Sequence, residues 1–440
     1  MQENNRRFMK ILCDYIANPN DAVLENTSFS IRGKRVFVSN DNSHSADDIV
    51  VENSIAFPGL INIHDHLKYS WYKRIGKDAK IGEEEQHYNN VYEWLIDLYK
   101  AFENVFRNTK DELDIMFQLG LYKQIFSATT TVVNHSRHSK NVLNSKDQYI
   151  DIVEDIESEL LVQPELISDV TSHPLSFGTN LKEAHYRAIN SVPQKAFMIH
   201  AAEGSDEFTR KEISILDKLG ILTPQTILVH CINADNRDIK LIAEKRCTVV
   251  SCPYTSHSLI GNIVDVREIL SNGINFCIGT DSSCSGSRNL LAALNYAQEL
   301  FKERFDIDIS SSDLFNMVTC NPAKALMLEN KIGKIDDGFS ADIAIIDKKS
   351  DNPYDDILSC NPEDIIALWS KGTFVYGDEW FFHKISGQKD IVYSEFKINE
   401  RKKIIIGNPR SLLASFVNTF NIKEPAYFDF IPEELQFEKK

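Results

Sequence analysis

Six short apolar segments between residues 57 and 325 alternate with longer segments that have a helical pattern. The six segments read FPGLINIH, TTTVVNH, AFMIHAA, QTILVHC, CTVVSC and INFCIGTD. Continuous apolar strands that are separated by helices indicate an α/β fold with a parallel sheet covered on both faces. The length of this part of the chain suits a sheet that closes into a (β/α)8 barrel of the TIM type.

Both ends of the chain have a different pattern. Residues 1–56 and 326–384 contain short strands with glycine turns, as in SFSIRGKRVFVSN and KIGKIDDGFSADIAIIDKK, a pattern typical of β-hairpins. We therefore predict a small β-sandwich domain made from 1–56 with 326–384, beside a barrel over 57–325. Residues 385–440 contain one strand pattern and one helical pattern and are predicted to form a C-terminal extension.

One part of the expected barrel is short of strands. Only 65 residues separate His135 from His200, and they contain one clear strand pattern, ELISDVTSHPL. An eightfold barrel needs two strands there. The sequence therefore predicts a distorted barrel, or one that has lost a strand, with a more open mouth.

The charge balance limits the partners of this chain. Its 48 basic and 64 acidic residues give a formal net charge of −16, which repels bulk nucleic acid.

The N-terminal stretch MQENNRRFMKILCDYIANPN has no sustained apolar run, so we expect neither a signal peptide nor a membrane span. The eight cysteines are scattered without a C-x-x-C pair, as expected for reduced thiols in a cytoplasmic protein. A small molecule is the expected partner, and the sequence leaves a homodimer open.

Polar side chains that can bind a metal end five of the predicted strands. The first strand ends in His64 and His66, and the two-residue period of a strand places their imidazoles on one face and Asp65 on the other. Later strands end in His135, in His200 with Glu203 three residues on, in His230 and in Asp281. Because the carboxyl ends of barrel strands meet at one mouth, we expect these side chains to lie close together.

Each of these residues has an ordinary structural explanation when it is considered alone. A single histidine at a strand end is usually a hydrogen-bonded structural residue, and a single glutamate after a strand is usually a solvated charge. Several such residues in this order favour a common metal site instead. Neutral imidazoles with one carboxylate are a donor set that suits Zn²⁺ or Fe²⁺.

The motifs PGLINIHDH, HAAEG, VHC and GTDSS, in this order and spacing, resemble those of the amidohydrolase superfamily. The similar branch contains guanine, cytosine and S-adenosylhomocysteine deaminases and triazine hydrolases. The resemblance covers most of the chain, since GKIDDGFSADIAIID is similar to the closing segment of the family. It implies one divalent metal ion, zinc or iron with zinc favoured, bound by His64, His66, His200 and Asp281.

The resemblance also implies catalytic roles for three residues. His230 would orient the metal-bound water or polarise the group under attack. A divalent metal lowers the pKa of bound water towards about 7, so that hydroxide is available near neutral pH. Asp281 can accept a hydrogen bond from that water, and Glu203 can deliver a proton to a ring nitrogen or a departing amine. The chain lacks a lysine set like that of the carbamate-bridged two-metal branch, which favours one metal ion.

These observations predict a metal-dependent hydrolase that cleaves a non-peptide C–N bond of a small nitrogen heterocycle by attack of a metal-bound hydroxide. Deamination with release of ammonia is the leading form. Ring-opening hydrolysis of a cyclic amide or amidine is an alternative, because both reactions begin with attack on an sp² carbon that bears nitrogen. A non-catalytic scaffold on the same fold is a further alternative, which missing ligand types would indicate.

Substrate contacts are predicted from weaker patterns. Trp94 lies in YNNVYEWLIDLY, which resembles the substrate-covering loop of this branch and equally fits an amphipathic helix with core aromatics. Arg137 and His138 would meet a polar or anionic group of the substrate, or would form a surface pair. His173 resembles a family position near the substrate, and His257 stands in SCPYTSHSLIG where the family usually has Ser-Asn.

Overall fold

The computed structural model describes residues 9–40, 45–72, 74–76, 87–102, 109–135, 151–153, 157–159, 178–385, 391–420 and 432. Within these residues the chain forms 17 strands, which belong to three sheets. Two of the sheets are parallel and come from the middle of the chain, and the third comes from both ends. Each of the six predicted apolar segments forms a strand.

The parallel strands carry the polar residues singled out above. Their bounds are β5 (Leu60–Asp65), β6 (Thr129–Asn134), β7 (Asp151–Val153), β8 (Glu157–Glu159), β9 (Phe197–Ala201), β10 (Thr226–His230), β11 (Thr248–Ser251) and β12 (Asn275–Ile278). One sheet has the order β5-β6-β7, and the other has the order β12-β11-β10-β9-β8. Every pairing within these two sheets is parallel.

Strands β7 and β8 lie between His135 and His200, the stretch in which the sequence shows fewer strand patterns than an eightfold barrel needs. β7 pairs with β6, and β8 pairs with β9, but only residues 154–156 separate β7 from β8. A crossover between neighbouring parallel strands takes a dozen or more residues. We therefore interpret β7 and β8 as parts of a single barrel strand. The described residues then supply seven of the eight strands that a complete barrel needs. The predicted strand ELISDVTSHPL lies outside the described residues.

The strands β5 and β12 approach each other beyond their carboxyl ends. The backbone N–H groups of Thr280 and Asp281 both donate to the carbonyl of His64, each at 3.1 Å. Apolar side chains of six strands share one enclosed core, which includes Ile61, Ile63, Val133, Met198, Ile227, Val229, Val250 and Cys277. The parallel strands thus surround a common interior, as in a barrel, and full closure stays a prediction.

The two ends of the chain meet in one nine-stranded sheet. Its strands are β1 (Ile11–Asn18), β2 (Ala22–Arg32), β3 (Arg35–Ser39), β4 (Ile49–Pro58), β13 (Ile343–Asp347), β14 (Ile365–Ser370), β15 (Thr373–Asp378), β16 (Tyr393–Ile398) and β17 (Arg401–Ile406). The order is β16-β17-β15-β14-β13-β4-β1-β2-β3. Strand β4 joins the two ends because it pairs with β1 on one side and with β13 on the other.

The nine-stranded sheet agrees with the sequence in part. The hairpin predicted from SFSIRGKRVFVSN is present as the antiparallel pair β2 and β3. Where a sandwich is predicted, hydrogen bonds join all nine strands into a single sheet, because β4 bridges the two chain ends. The sheet also includes β16 and β17, from the stretch 385–440 that the sequence analysis sets apart. The division into domains stays a prediction.

Most of the helices lie between the parallel strands, and the last three follow strands of the nine-stranded sheet. Their bounds are α1 (Val91–Phe102), α2 (Lys110–Ile125), α3 (Gly178–Asn190), α4 (Glu212–Lys218), α5 (Asn236–Glu244), α6 (Pro253–Ile260), α7 (Val266–Ser271), α8 (Leu290–Phe305), α9 (Ser311–Asn316), α10 (Cys320–Ala325), α11 (Pro353–Leu358), α12 (Glu379–Phe382) and α13 (Pro409–Phe420). Three short 3₁₀ helices span Leu67–Tyr69, Thr209–Lys211 and Pro362–Asp364. None of the helices in the described ranges combines the length and apolar character that crossing a membrane requires.

The C-terminal helix α13 packs on the part of the chain that follows the His64–His66 pair. Trp71 is fully buried, and its ring lies 4.8 Å from that of Phe416 and 5.4 Å from that of Phe420, measured between centroids. Aromatic pairs at these distances contribute beyond the area they bury. Helix α13 is therefore part of the main core.

We expect Phe416→Ala to lower the free energy of unfolding by about 3–5 kcal/mol, because it removes a fully buried ring and leaves a cavity beside Trp71. Denaturant titration followed by tryptophan fluorescence would measure the loss. Ser415→Ala changes an exposed position of the same helix and should stay within about 0.5 kcal/mol of the wild type. Equal stability of the two variants would contradict the docking of α13.

Candidate active site

Four histidines from three distant parts of the sequence lie together at the carboxyl ends of β5, β9 and β10. The ring centroid of His64 lies 5.0 Å from that of His66 and 4.9 Å from that of His200. The ring of His230 stacks at 5.2 Å on that of His200. Ring nitrogens of His64, His66 and His200 all lie within 4.8 Å of one another. The structure thus brings together the imidazoles that the sequence expects at one mouth.

Two carboxyl groups complete this cluster. Asp281 Oδ1 lies 3.5 Å from His66 Nε2, and Asp281 Oδ2 lies 3.9 Å from His230 Nε2. Glu203 Oε1 lies 3.4 Å from the same His230 nitrogen. Both acidic side chains are buried. All six residues that were expected to form the centre are therefore neighbours, while their roles as ligands stay a prediction.

The side chains at the end of β5 alternate between two sides of the strand. The pairing of β5 with β6 shifts between Asn62 and Asp65, but this alternation is kept. His64 and His66 face the cluster, whereas the Asp65 carboxylate contacts Lys123 of helix α2 at 3.0 Å. The predicted separation of Asp65 from the two imidazoles is therefore present.

Left-handed backbone positions turn the other strand ends towards the cluster. His230 has φ = 74°, Asp281 has φ = 55° and Ala202, just before Glu203, has φ = 52°. Residues with a Cβ adopt such angles rarely and at a cost, and these positions are common at functional sites. Three separate turns next to the proposed ligands are held in this conformation.

Burial lowers the pKa of three histidines of the cluster. Burial, and then the neighbouring imidazoles, hold the pKa of His64 and of His200 well below the usual range. Burial also lowers the pKa of His230 to about 4. The neutral imidazole is the form that binds metals, so no proton has to leave these rings at neutral pH.

The donor set fits a divalent metal ion. In the described part of the chain, neither ring nitrogen of the fully buried His64 has a hydrogen-bond partner. Buried polar atoms without a partner are costly and rare, and a bound cation would satisfy them. Three imidazoles with the Asp281 carboxylate are nitrogen and oxygen donors of the kind that Zn²⁺ prefers.

Glu203 is set up to carry a proton. Burial, followed by the nearby charges of Asp281 and Glu212, raises the pKa of Glu203 well above its usual range. Its Oε2 atom has no hydrogen-bond partner among the described residues. Glu203 also lines the cavity above the histidines, so its carboxyl group faces the space where a substrate would lie.

The cavity has a mainly apolar roof supplied by helix α1. Its lining combines His66, His200, Glu203, Glu212, Asp281 and Ser282 with Tyr69, Val91, Tyr92, Trp94, Leu95, Leu98 and Tyr99. An apolar pocket with a few convergent polar groups is the usual form of a small-molecule site. Trp94 lines this cavity and is also buried, with Nε1 donating to the Ile75 carbonyl at 3.0 Å. The amphipathic helix with a core aromatic is therefore present, and contact of Trp94 with a substrate stays a prediction.

The remaining substrate candidates do not meet at this cavity in the described structure. Arg137, His138 and His173 lie outside the described residues. His257 Nδ1 contacts the Tyr296 hydroxyl at 2.5 Å, and its Nε2 accepts from Arg304 at 2.8 Å. Its ring is not among the described residues that line the cavity, and its contact with a substrate stays a prediction.

Two residues at the site had no assigned role in the sequence. The buried Glu212 accepts from the Tyr92 hydroxyl at 2.5 Å and from the Ala202 N–H at 2.6 Å. His135, placed near the rim from its strand, has its ring centroid 4.6 Å from that of His200. Glu212 lies in a charged segment that resembles a solvated surface, so only its tertiary contacts show that it is buried.

Comparison with known proteins defines the class of this protein. Residues 179–378, which include His200, Glu203, His230 and Asp281, match the amidohydrolase family. The chain therefore carries an amidohydrolase domain, and the protein is an enzyme that acts on carbon–nitrogen bonds other than peptide bonds.

The particular relatives are deaminases and a related hydrolase. A protein of Caldicellulosiruptor saccharolyticus named 5-methylthioadenosine/S-adenosylhomocysteine deaminase is 26% identical over 394 residues, or 81% of this chain and 89% of the relative. An adenosine deaminase structure from Xanthomonas campestris with bound zinc has 16% identity and a TM-score of 0.63, and the match covers 83% and 92% of the two chains. Atrazine chlorohydrolase from Arthrobacter aurescens, with zinc and atraton, has 16% identity and a TM-score of 0.67, with 83% and 95% covered.

These likenesses agree with the sequence analysis. The two solved structures show a shared fold, which implies a TIM-like barrel with a small domain. The deaminase relatives support a hydrolytic deaminase and do not favour ring opening or a non-catalytic scaffold.

Glu212→Gln should change how stability depends on pH. Burial raises the pKa of Glu212 from 4.5 to about 7, so the folded protein holds this proton more tightly than the unfolded chain does. The stabilising effect is complete below pH 4.5 and is lost as the pH rises through 7. Glutamine does not ionise, so the variant does not lose stability in this way. Between pH 4.5 and 8, the free energy of unfolding of the variant should rise relative to that of the wild type by up to about 3 kcal/mol.

Urea unfolding of the chelator-treated proteins across this pH range measures the difference. Glu207→Gln is the matched control, since Glu207 lies on the segment just before helix α4 with 74% of its side chain exposed, and its curve should stay close to that of the wild type. A constant difference between Glu212→Gln and the wild type would show that Glu212 keeps an ordinary pKa.

Proposed function

We propose that this protein is a zinc-dependent aminohydrolase that deaminates the purine ring of an adenosine derivative. The cluster of imidazoles with Asp281 and the buried Glu203, whose pKa is raised, beneath an apolar roof, is the observation that carries the proposal. In this reaction a water oxygen replaces the exocyclic amino group, and ammonia leaves.

The proposed ligands of the metal are His64, His66, His200 and Asp281. A divalent metal, when bound there, would supply Lewis acidity that ionises a water molecule near neutral pH. Zinc is favoured because the donor set suits it and because two structures of the same fold contain it. One metal ion per chain is proposed.

Glu203 is proposed as the residue that moves protons. Its carboxyl group can donate a proton to a ring nitrogen while the new C–O bond forms at the adjacent carbon. The resulting carboxylate can take the proton of the added hydroxyl group and pass it to the departing amino group, which leaves as ammonia. His230 is proposed to orient the attacking water, since its Nε2 lies between the carboxyl groups of Glu203 and Asp281 at 3.4 Å and 3.9 Å. Its Nδ1 lies 3.3 Å from the Ser256 hydroxyl, which fixes the ring.

The proposed substrates are adenosine derivatives with a sulfur substituent at the 5′ carbon. The support is the shared name of the relatives, 5-methylthioadenosine/S-adenosylhomocysteine deaminase. Tyr69 and the roof residues Leu95 and Leu98 line the cavity and offer apolar contact to a flat ring and a thioether.

The first experiment is metal analysis followed by a screen for ammonia release. The screen would include 5′-methylthioadenosine, S-adenosylhomocysteine, adenosine and guanine, with product masses determined for each. Deamination replaces NH₂ by O, whereas ring opening adds one water, so the masses separate the two reactions. Activity should disappear on chelation and return with Zn²⁺. A metal-free and inactive wild-type protein would refute the proposal.

Glu203→Gln should lower kcat by about 100- to 10,000-fold, because an amide cannot deliver the proton. The zinc content should remain about one per chain, since Glu203 is not a proposed ligand. Glu207→Gln is the matched control on the same loop and should keep the wild-type rate. A wild-type rate in Glu203→Gln would rule out its role in proton transfer, and loss of zinc would make Glu203 a ligand instead.

A further inference from the structure

A fully buried ion pair lies directly behind the histidine cluster. Lys123 Nζ on helix α2 is 3.0 Å from Asp65 Oδ2, and neither side chain has any exposed surface. Removing two charges from water costs more than an average buried pair returns, so such a pair is weak evidence for stability. Asp65 stands between His64 and His66 in the chain, which suggests a role at the site.

Asp65 collects donors from three separate parts of the fold. Besides Lys123, its Oδ2 atom accepts from Asn62 Nδ2 at 3.0 Å, Gln124 Nε2 at 2.9 Å and Thr280 Oγ1 at 2.9 Å. These residues belong to strand β5, helix α2 and the turn after β12. Hydrogen bonds to a charged group are stronger than those between neutral groups, so the carboxylate holds the three parts in one arrangement.

Lys123 also holds the turn that carries Asp281. Its Nζ lies 3.3 Å from the Asp281 carbonyl, and the Asp281 N–H donates to the His64 carbonyl at 3.1 Å. Asp281 itself has φ = 55°, a conformation that needs support from its surroundings. One ammonium group therefore contacts the backbone of one proposed ligand and the residue between two others.

We propose that Lys123 and Asp65 form a positioning pair that sets the metal affinity of the centre. The pair holds the His64–His66 segment and the Asp281 turn at the separation that one cation needs. Neither residue is a ligand; both act through the backbone of the ligands. This inference rests on the proposed metal centre. Partners behind the ligands of a metal typically change its affinity by about 10- to 100-fold.

The test uses the double variant Lys123→Met with Asp65→Asn, because it removes both charges and leaves no buried charge unpaired. Asparagine can still accept from Asn62, Gln124 and Thr280, and methionine fills the space of the lysine stem. Zinc affinity is measured by competition with a chromophoric chelator, and folding by circular dichroism and thermal unfolding of the zinc-free protein. Asp65→Asn alone is a second variant with a smaller change in packing.

We expect each folded variant to bind zinc about tenfold more weakly than the wild type or worse. Lys403→Met is the matched control. Lys403 is also fully buried, 2.7 Å from Asp378 in the nine-stranded sheet, and Asp378 keeps Arg401 as a partner. This control should lose thermal stability and retain the wild-type zinc affinity, which separates positioning from general destabilisation.

The outcomes separate this inference from the proposed function. If the wild type binds one zinc ion and a folded variant binds it equally tightly, the positioning role is wrong and the proposed centre stands. If the wild type binds no zinc, the proposed centre fails and the positioning role fails with it. A loss of zinc affinity in Lys403→Met equal to that in the double variant would also overturn the inference.

Discussion

The desolvation of several imidazoles in one small space is the constraint on which the site depends. Burial keeps His64 and His200 neutral, and His64 has no hydrogen-bond partner for its ring in the described part of the chain. Protonating these rings would place like charges about 5 Å apart away from water, which is strongly unfavourable. The buried imidazoles are therefore suited to bind a cation, and leaving their nitrogens without a partner costs free energy.

The same region combines rigid strands with strained turns. Parallel strands place the ligands at one end of a shared apolar interior, and the left-handed angles at His230 and Asp281 aim the final side chains. Glycine at 279 allows this close approach, since a Cβ there would lie 2.9 Å from that of His64. Strain of this kind persists only where the surroundings hold the chain in place.

The roof of the cavity is joined to the loop that carries Glu203. The Val91 N–H donates to the Glu203 carbonyl at 3.0 Å, and the Ser205 N–H donates to the Asn89 carbonyl at 2.7 Å. The Tyr92 hydroxyl reaches Glu212 on the same side. The residues that would cover a substrate and the residue that would protonate it are thus parts of one hydrogen-bonded unit, so their relative positions are fixed together.

The sequence by itself determined the parallel strands, the order of the polar strand ends and the separation of Asp65 from its neighbouring histidines, because apolar runs and the two-residue period are local properties. Only the tertiary structure decided that Glu212 is buried, that His257 turns to Tyr296 and Arg304, and that Lys123 reaches Asp65. It also decided that the strands from both chain ends form a single nine-stranded sheet. These features depend on contacts between residues far apart in the chain and on left-handed turns, for which local patterns carry no signal.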